Sequence, residues 1–275
     1  MAESEPDAPR FMDLTVPEYA YMFAFLQADG HLYAGTGQKG RLAVEINACD
    51  IELLHEFRRL TPYYSSVTER TRSTNFARTH HSAVWSLCSL EARTLLNNLG
   101  LPYGRKSRDI APPRVRYSTR DYLRGIVDAD GSVGYTGQGF PFISLTTASA
   151  AIVSSFISYA REITGSERTV RRNQRDGIFN IIYVTEAAHA LSAHLYYPGC
   201  LALRRKQAAA DGVAKWVRPA SSRPRPPRIK WTDDMDRILL SAPTIAHAAA
   251  ELGYSWSACQ ARRWKLRRGT APLSV

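Results

Sequence analysis

One unusual segment occurs twice in this chain. "AFLQADGHL" (Ala24–Leu32) and "GIVDADGSV" (Gly125–Val133) are each an apolar run ending in Ala-Asp-Gly, and their aspartates, Asp29 and Asp130, stand 101 residues apart (130 minus 29). A single Asp-Gly is ordinarily a turn. Two at the ends of similar apolar runs point to an internal duplication with one carboxylate per copy. Each run reads as a helix. The first opens at "TVPE", where Thr15 and Glu18 form a potential capping box and Pro17 fits the first turn. It is apolar on nearly every side, so it should be buried all round. The second opens at Ser118 or Thr119. Gly30 is expected to stop the first helix in the left-handed conformation, and Gly131 to stop the second. Ala24 and Ala28 in one copy, and Gly125 and Ala129 in the other, are four apart and share a face. A mid-helix glycine costs about 1 kcal/mol against alanine, so Gly125 implies close packing. If the helices pair through these small faces, Asp29 and Asp130 emerge side by side.

The duplication continues downstream. Each Asp-Gly is followed by a strand, a Gly-rich turn ("YAGTGQKG", "YTGQG") and a second strand ("RLAVEIN", "FPFISLT"). Then come a helix ("IELLHEFRRL", "AIVSSFISYAREI"), two polar-basic strands ("SVTERTRSTNFARTHHSAVWSLC", "RTVRRNQRDGIFNIIYVT") and a last helix ("EARTLLNNL", "EAAHALSAHL"). An Arg-Lys pair closes each copy, Arg105-Lys106 and Arg205-Lys206, at nearly the aspartate spacing. The fold class is therefore α+β, two halves over 1–113 and 114–217, each able to form one antiparallel sheet. Residues 218–230, including "RPASSRPRPPR", read as a stiff basic linker. Residues 231–270 hold three helical patterns broken at Ala242-Pro243 and Gly253-Tyr254-Ser255, with Trp231, Trp256 and Trp264 spaced like core aromatics.

The net charge of +11 implies an anionic partner. No apolar stretch nears the roughly 20 residues of a membrane span, and the acidic start MAESEPDAPR lacks a signal-peptide pattern. A cytosolic setting follows, with nucleic acid as the partner. The four cysteines, 49, 88, 200 and 259, show no zinc spacing and are expected to be reduced thiols, mostly in the interior.

"FAFLQADG" and "LRGIVDADG" resemble the two signature helices of a monomeric LAGLIDADG homing endonuclease, and the match extends over roughly Thr15 to Lys215. The resemblance implies two pseudo-symmetric αββαββα halves whose sheets form a saddle on DNA. It implies that Asp29 and Asp130, with the backbone carbonyls of Ala28 and Ala129, direct metal ions at one scissile phosphate each. Lys106 and Lys206 would stabilise transition-state charge or position water. Cleavage across the minor groove would leave 5′-phosphate and 3′-hydroxyl ends with short 3′ overhangs. The residues agree with this on their own terms. A carboxylate at a helix C-terminus meets the unfavourable end of the dipole, and two such groups repel unless a cation lies between them. Hard oxygen donors suit Mg²⁺, with Mn²⁺ as a substitute. Gln27 departs from the family pattern, which has the acid of Asp128 there, and this leaves room for asymmetric sites or a nicking preference. The C-terminal segment resembles a Myb-like or other helix-turn-helix module.

DNA readout is expected from the strands: Arg41, Glu45, Asn47, Arg70, Arg72, Asn75 and Arg78 in the first copy, and Gln138, Thr146, Arg168, Arg171, Arg172, Asn173, Gln174 and Arg175 in the second. Fewer than half should touch bases, because most protein–DNA hydrogen bonds go to the backbone. Arg262, Arg263, Lys265, Arg267 and Arg268 are expected on phosphates. The sequence reading is a single-chain, site-specific double-strand DNA endonuclease, acting as a monomer on a long asymmetric target. Two alternatives stand beside it. One is a DNA-binding regulator without cleavage; the other is an RNA intron maturase.

Overall fold

The computed structural model describes residues 10–36, 39–73, 80–220 and 229–268. These fall into two units, which divide after Arg218.

The first unit is organised around a helix pair. α1 (Pro17–Ala28) and α4 (Thr119–Asp130) bury the stretches Ala20–Gln27 and Asp121–Asp128. Their approach is close enough that a Cβ on Gly125 would lie 2.5 Å from the Tyr21 carbonyl oxygen and 2.8 Å from the Ala24 Cβ. The small faces therefore do set the packing. Reciprocal hydrogen bonds tie the pair together. Tyr21 of α1 donates to Asp128 Oδ2 at 2.7 Å, and Tyr122 of α4 donates to Gln27 Oε1 at 2.6 Å.

The helix ends differ from expectation. The Thr15 hydroxyl bonds Asp13 instead of the helix, and α1 has no side-chain cap. Gly30 and Gly131 do not adopt the left-handed conformation. They are glycines because a Cβ would collide with backbone: 2.6 Å from the Leu26 oxygen at Gly30, and 2.5 Å from the Ser144 oxygen at Gly131. Glycine answers a steric need here.

After α1 comes an antiparallel sheet of β1 (His31–Tyr33), β2 (Arg41–Asn47), β3 (Ser65–Arg72) and β4 (His80–Leu87), in the order β1-β2-β4-β3. α2 (Ile51–Leu60) buries Leu53, Leu54 and Phe57 against it, with Phe57 edge-on to Trp85. α3 (Leu90–Asn98) follows, capped by Ser89. The second sheet, β5 (Gly131–Tyr135), β6 (Pro141–Thr147) and β7 (Phe179–Val184), is likewise antiparallel. Around it lie α5 (Ala150–Thr164), α6 (Thr185–Leu195) and α7 (Arg204–Ala214).

Here the duplication is imperfect. The stretch 168–173, expected as a strand, forms none. Arg168 and Arg172 instead stack over Tyr183 and Phe179 of β7. One continuous apolar core underlies both sheets. Among the described residues no helix is long and apolar enough to cross a membrane. Of the cysteines only Cys259 is buried, which corrects the expectation of mostly interior thiols.

The second unit is three helices, α8 (Asp233–Ser241), α9 (Ile245–Leu252) and α10 (Trp256–Arg267). Its core is Leu239, Ala242, Ala248 and Cys259, with Trp231 packed at the edge. Trp256 and Trp264 are about half exposed, so the expectation that they are core aromatics fails. Buried Asp236 of α8 receives a two-pronged ion pair from Arg262 of α10.

Candidate active site and nucleic-acid interface

Asp29 closes α1 and leads into β1, and Asp130 closes α4 and leads into β5. Because the helices pair face to face, the two carboxylates come within electrostatic reach of each other and of two lysines. Both side chains reach solvent, yet loss of water still pushes both up, Asp130 to about 6 with help from the negative charge of Asp29. Lys106 and Lys206 counter this from the opposite sign. Burial in turn holds the Lys106 ammonium down to about 8 against the pull of both aspartates.

The lysines are 7% and 5% exposed. Lys206, in the first turn of α7, gives its three protons to the carbonyls of Val127, Asp128 and Gly131, at 2.9, 2.6 and 2.8 Å. Lys106, on a turn after α3, donates to the carbonyls of Gln27 and Ala28. Each ammonium thus satisfies the C-terminal carbonyls of one motif helix, the end where a positive charge is favoured. Of the two alanine carbonyls singled out in the sequence, Ala28 already accepts from Lys106. Ala129 is not among the three that Lys206 reaches.

Gln27 and Asp128 occupy equivalent positions with different partners. Gln27 donates to the carbonyls of Gly100 and Ala111. Asp128 accepts from Tyr21, from Tyr196 at 2.6 Å and from the Leu203 amide at 2.7 Å. Both are sealed inside. Neither points to the carboxylate pair as a ligand.

Sequence reasoning missed part of the surroundings. A cleft of about 770 Å³ beside Asp29 is lined by His31, Arg105, Lys106 and Arg108, with Ser107 and Asp109. His31 lies two residues past the first aspartate, where the second copy has Ser132, and that offset was the available signal.

Register assigns the strand residues to faces. On the first sheet, Tyr33, Arg41, Glu45, Asn47, Thr68, Arg70, Arg72, His80 and Ser82 share the face opposite buried Leu42, Val44, Ala83, Trp85 and Leu87. Arg41 stacks on Tyr33. Glu45 accepts from Arg70, pairs with Arg72 at 3.1 Å, and takes the Ser82 hydroxyl at 2.7 Å. Asn47 caps the short helical turn at Ala48–Asp50 through the Cys49 amide. Asn75 and Arg78 lie outside the described residues. In the second copy Thr146 sits on the outer face and bonds Asn180, while Gln138 is exposed at the β5–β6 turn. Arg171, Gln174 and Arg175 are exposed before β7, Arg175 bonding Asp176, and Asn173 accepts the Arg175 amide. In the three-helix unit Arg262 is committed to Asp236 and Arg263 bonds the Ala242 carbonyl, whereas Lys265, Arg267 and Arg268 lie on the exposed side of α10.

Residues 118–196 match the model of the LAGLIDADG-like domain. Among solved structures, the homing endonuclease I-WcaI bound to its DNA recognition sequence superposes with a TM-score of 0.51 at 12% identity, over 72% of this chain and 87% of that one. A mesophilic variant of the homing endonuclease I-DmoI gives 0.48 at 11% identity, over 73% and 100%. The N-terminal LAGLIDADG domain of DUF199/WhiA gives 0.43 at 10%, over 73% and 89%. No curated protein matches the sequence. The fold is that of the LAGLIDADG homing endonucleases, mixed α and β with antiparallel sheets.

Proposed function

We propose that this chain is a site-specific, divalent-metal-dependent endonuclease of double-stranded DNA, with Asp29 and Asp130 each serving one strand. The observation that carries the reading is the placement of two carboxylates at the ends of a helix pair whose backbones touch at Gly125. On balance folding stability disfavours that placement: desolvation, mutual repulsion and the negative helix ends outweigh the attraction of Lys106 and Lys206, and both carboxyls are pushed up.

A cation fits this donor set. Among the described residues no cluster of three or more His, Cys, Asp and Glu side chains could hold a metal by itself. Two carboxylates with adjacent backbone carbonyls suit Mg²⁺, which keeps water and takes phosphate oxygens as further ligands. Asp29 and Asp130 would hold it, with the Ala129 carbonyl and the second lone pair of the Ala28 carbonyl beside Lys106, and when bound it would supply a more acidic water and a Lewis acid for the leaving 3′ oxygen. The chain's own residues do the remaining work. Lys106 and Lys206 fix the helix-end carbonyls, so the aspartates project in set directions, and their charge also offsets that of the phosphate. Arg105, Arg108 and His31 line the first-half cleft and bind the DNA backbone. The outer sheet faces carry base readout. A single chain holds both carboxylates, so a monomer suffices for both strands. The three-helix unit adds DNA affinity in helix-turn-helix fashion through the exposed side of α10.

Incubation of the purified chain with supercoiled genomic-library plasmids tests the reading. Discrete Mg²⁺-dependent breaks, absent with Ca²⁺ and absent in the Asp29→Asn/Asp130→Asn protein, are expected. Tight binding without breaks would favour a non-cleaving DNA regulator, and selective binding of structured RNA a maturase.

A further inference from the structure

The two sheets present chemically unlike outer faces. On the first, Arg70 and Arg72 grip Glu45, while Arg41 stacks on Tyr33 farther along the same face. The side chains of Arg70 and Arg72 are 49% and 50% exposed, whereas that of Glu45 is 27% exposed. Glu45 is itself anchored by the buried Ser82 hydroxyl, and its arginine partners hold its carboxyl below the usual range. An acid anchored from below and gripping two guanidinium groups from the side acts as a brace for them. It presents a preorganised pair of forked donors at the surface.

On the second sheet the corresponding face comprises Ser132, Gly134, Phe142, Ser144, Thr146, Asn180, Ile182 and Val184, with no charged residue. Ile182 is 45% exposed. The Thr146 hydroxyl donates to Asn180 Oδ1 at 2.9 Å, which fixes the amide with its NH₂ turned away from Thr146. Positive charge on this face is kept to its rim, at exposed Arg168, Arg171, Arg172 and Arg175 in the segment before β7, with Arg168 and Arg172 stacked on the Tyr183 and Phe179 rings of that edge strand.

We infer that the DNA target is chemically split: guanines are read by the braced Arg70 and Arg72 on the first sheet, and an A·T-rich stretch by the neutral face of the second. The inference rests on the DNA-binding reading above. Guanine offers two acceptors on its major-groove edge to an arginine fork, adenine offers a donor and an acceptor to Asn180, and the thymine methyl is met by apolar groups such as Ile182 and Phe142. Phosphates on the second half are left to the rim arginines. Glu45 is a positioning residue in this scheme, one that acts through the arginines.

The test is selection of bound duplexes from a randomised DNA pool by the full chain in Ca²⁺, repeated with Arg70→Lys, Glu45→Gln and Ile182→Ser, each checked for parental melting. Arg70→Lys keeps the charge and loses the fork. The expected motif has guanines confined to one half and A·T pairs in the other. Arg70→Lys should cut the preference at one or two guanine positions by roughly five- to one-hundred-fold. Glu45→Gln should weaken the same positions while overall affinity holds, and Ile182→Ser should relax thymine preference in the other half only. Guanines shared equally by both halves, or a motif unmoved by Arg70→Lys, would overturn the inference and leave DNA binding standing. A pool with no enrichment would overturn both.

Discussion

Gly125→Ala separates two views of this fold. In an ordinary helix the change stabilises by about 1 kcal/mol, because alanine loses less backbone freedom on folding. At Gly125 the new Cβ would stand 2.5 Å from the Tyr21 oxygen and 3.2 Å from its carbonyl carbon, where ordinary contact begins near 3.4 Å. The nearest obstacle is backbone, so α1 and α4 must part by close to 1 Å. Overpacking of that kind costs about 1–3 kcal/mol and occasionally more. It also disturbs the Tyr21–Asp128 and Tyr122–Gln27 bonds that cross the same interface. The expected net loss is about 1–2 kcal/mol, or roughly 2–8 °C in melting temperature for a unit of this size. Gly212→Ala is the internal control. It too lies within a helix, α7, but its Cβ would meet only the Tyr135 ring, at 3.9 Å. That variant should gain up to about 1 kcal/mol. Thermal unfolding followed by circular dichroism measures both. If Gly125→Ala melts at or above the parent, the backbone-close helix pair is wrong, and with it the argument that brings Asp29 and Asp130 together.

Three further outcomes follow from the same geometry. The folded state pushes Asp130 up to about 6 from 3.8, so it holds that proton more tightly than the unfolded chain and its stability falls as pH rises through this window. Metal-free Asp130→Asn should therefore be more stable than the parent at pH 7, on the order of 1 kcal/mol after solvent screening, and the gain should vanish below about pH 4; a destabilised variant at pH 7 refutes this. Lys206→Met, which strands two helix-end carbonyls and that of Gly131 at the start of β5, should cost about 2 kcal/mol or more, while a purely catalytic lysine would leave the denaturation midpoint unmoved. Asp236→Ala leaves Arg262 without its partner and should cost about 3–5 kcal/mol, enough for calorimetry to show the three-helix transition lost and the main one retained.

Much of this was legible in the chain because it depends on local rules. The Ala24/Ala28 and Gly125/Ala129 faces, the all-round burial of α1 and the order of most elements follow from periodicity and residue size. What escaped depends on tertiary partners. Thr15 had a competing acceptor in Asp13, so its capping box did not form. Gly30 and Gly131 answer a collision that only the folded backbone creates. In the stretch 168–173 a single apolar residue, Val170, stands among charges, and stacking of Arg168 and Arg172 on β7 outweighed strand pairing. Trp256 and Trp264 lost the core of the small unit to Leu239, Ala248 and Cys259. Arg124 stands at the place of Phe23 and no sequence pattern singled it out, yet it is sealed inside, donating to the carbonyls of Leu195 and Leu201 and paired with Asp121. At the candidate site the aspartates and lysines could be picked out by their matched spacing. The carbonyls that receive the lysine protons could not, because they lie nearly 80 residues away in sequence.

In the proposed reaction one carboxylate serves each DNA strand. Strand-resolved mapping of products from Asp29→Asn and Asp130→Asn, on a duplex recovered from the plasmid screen and in Mg²⁺, tests this directly. Each single variant should nick one strand only, the two variants opposite strands, and the double variant neither. Double-strand breaks by either single variant, or loss of the same strand in both, would contradict it.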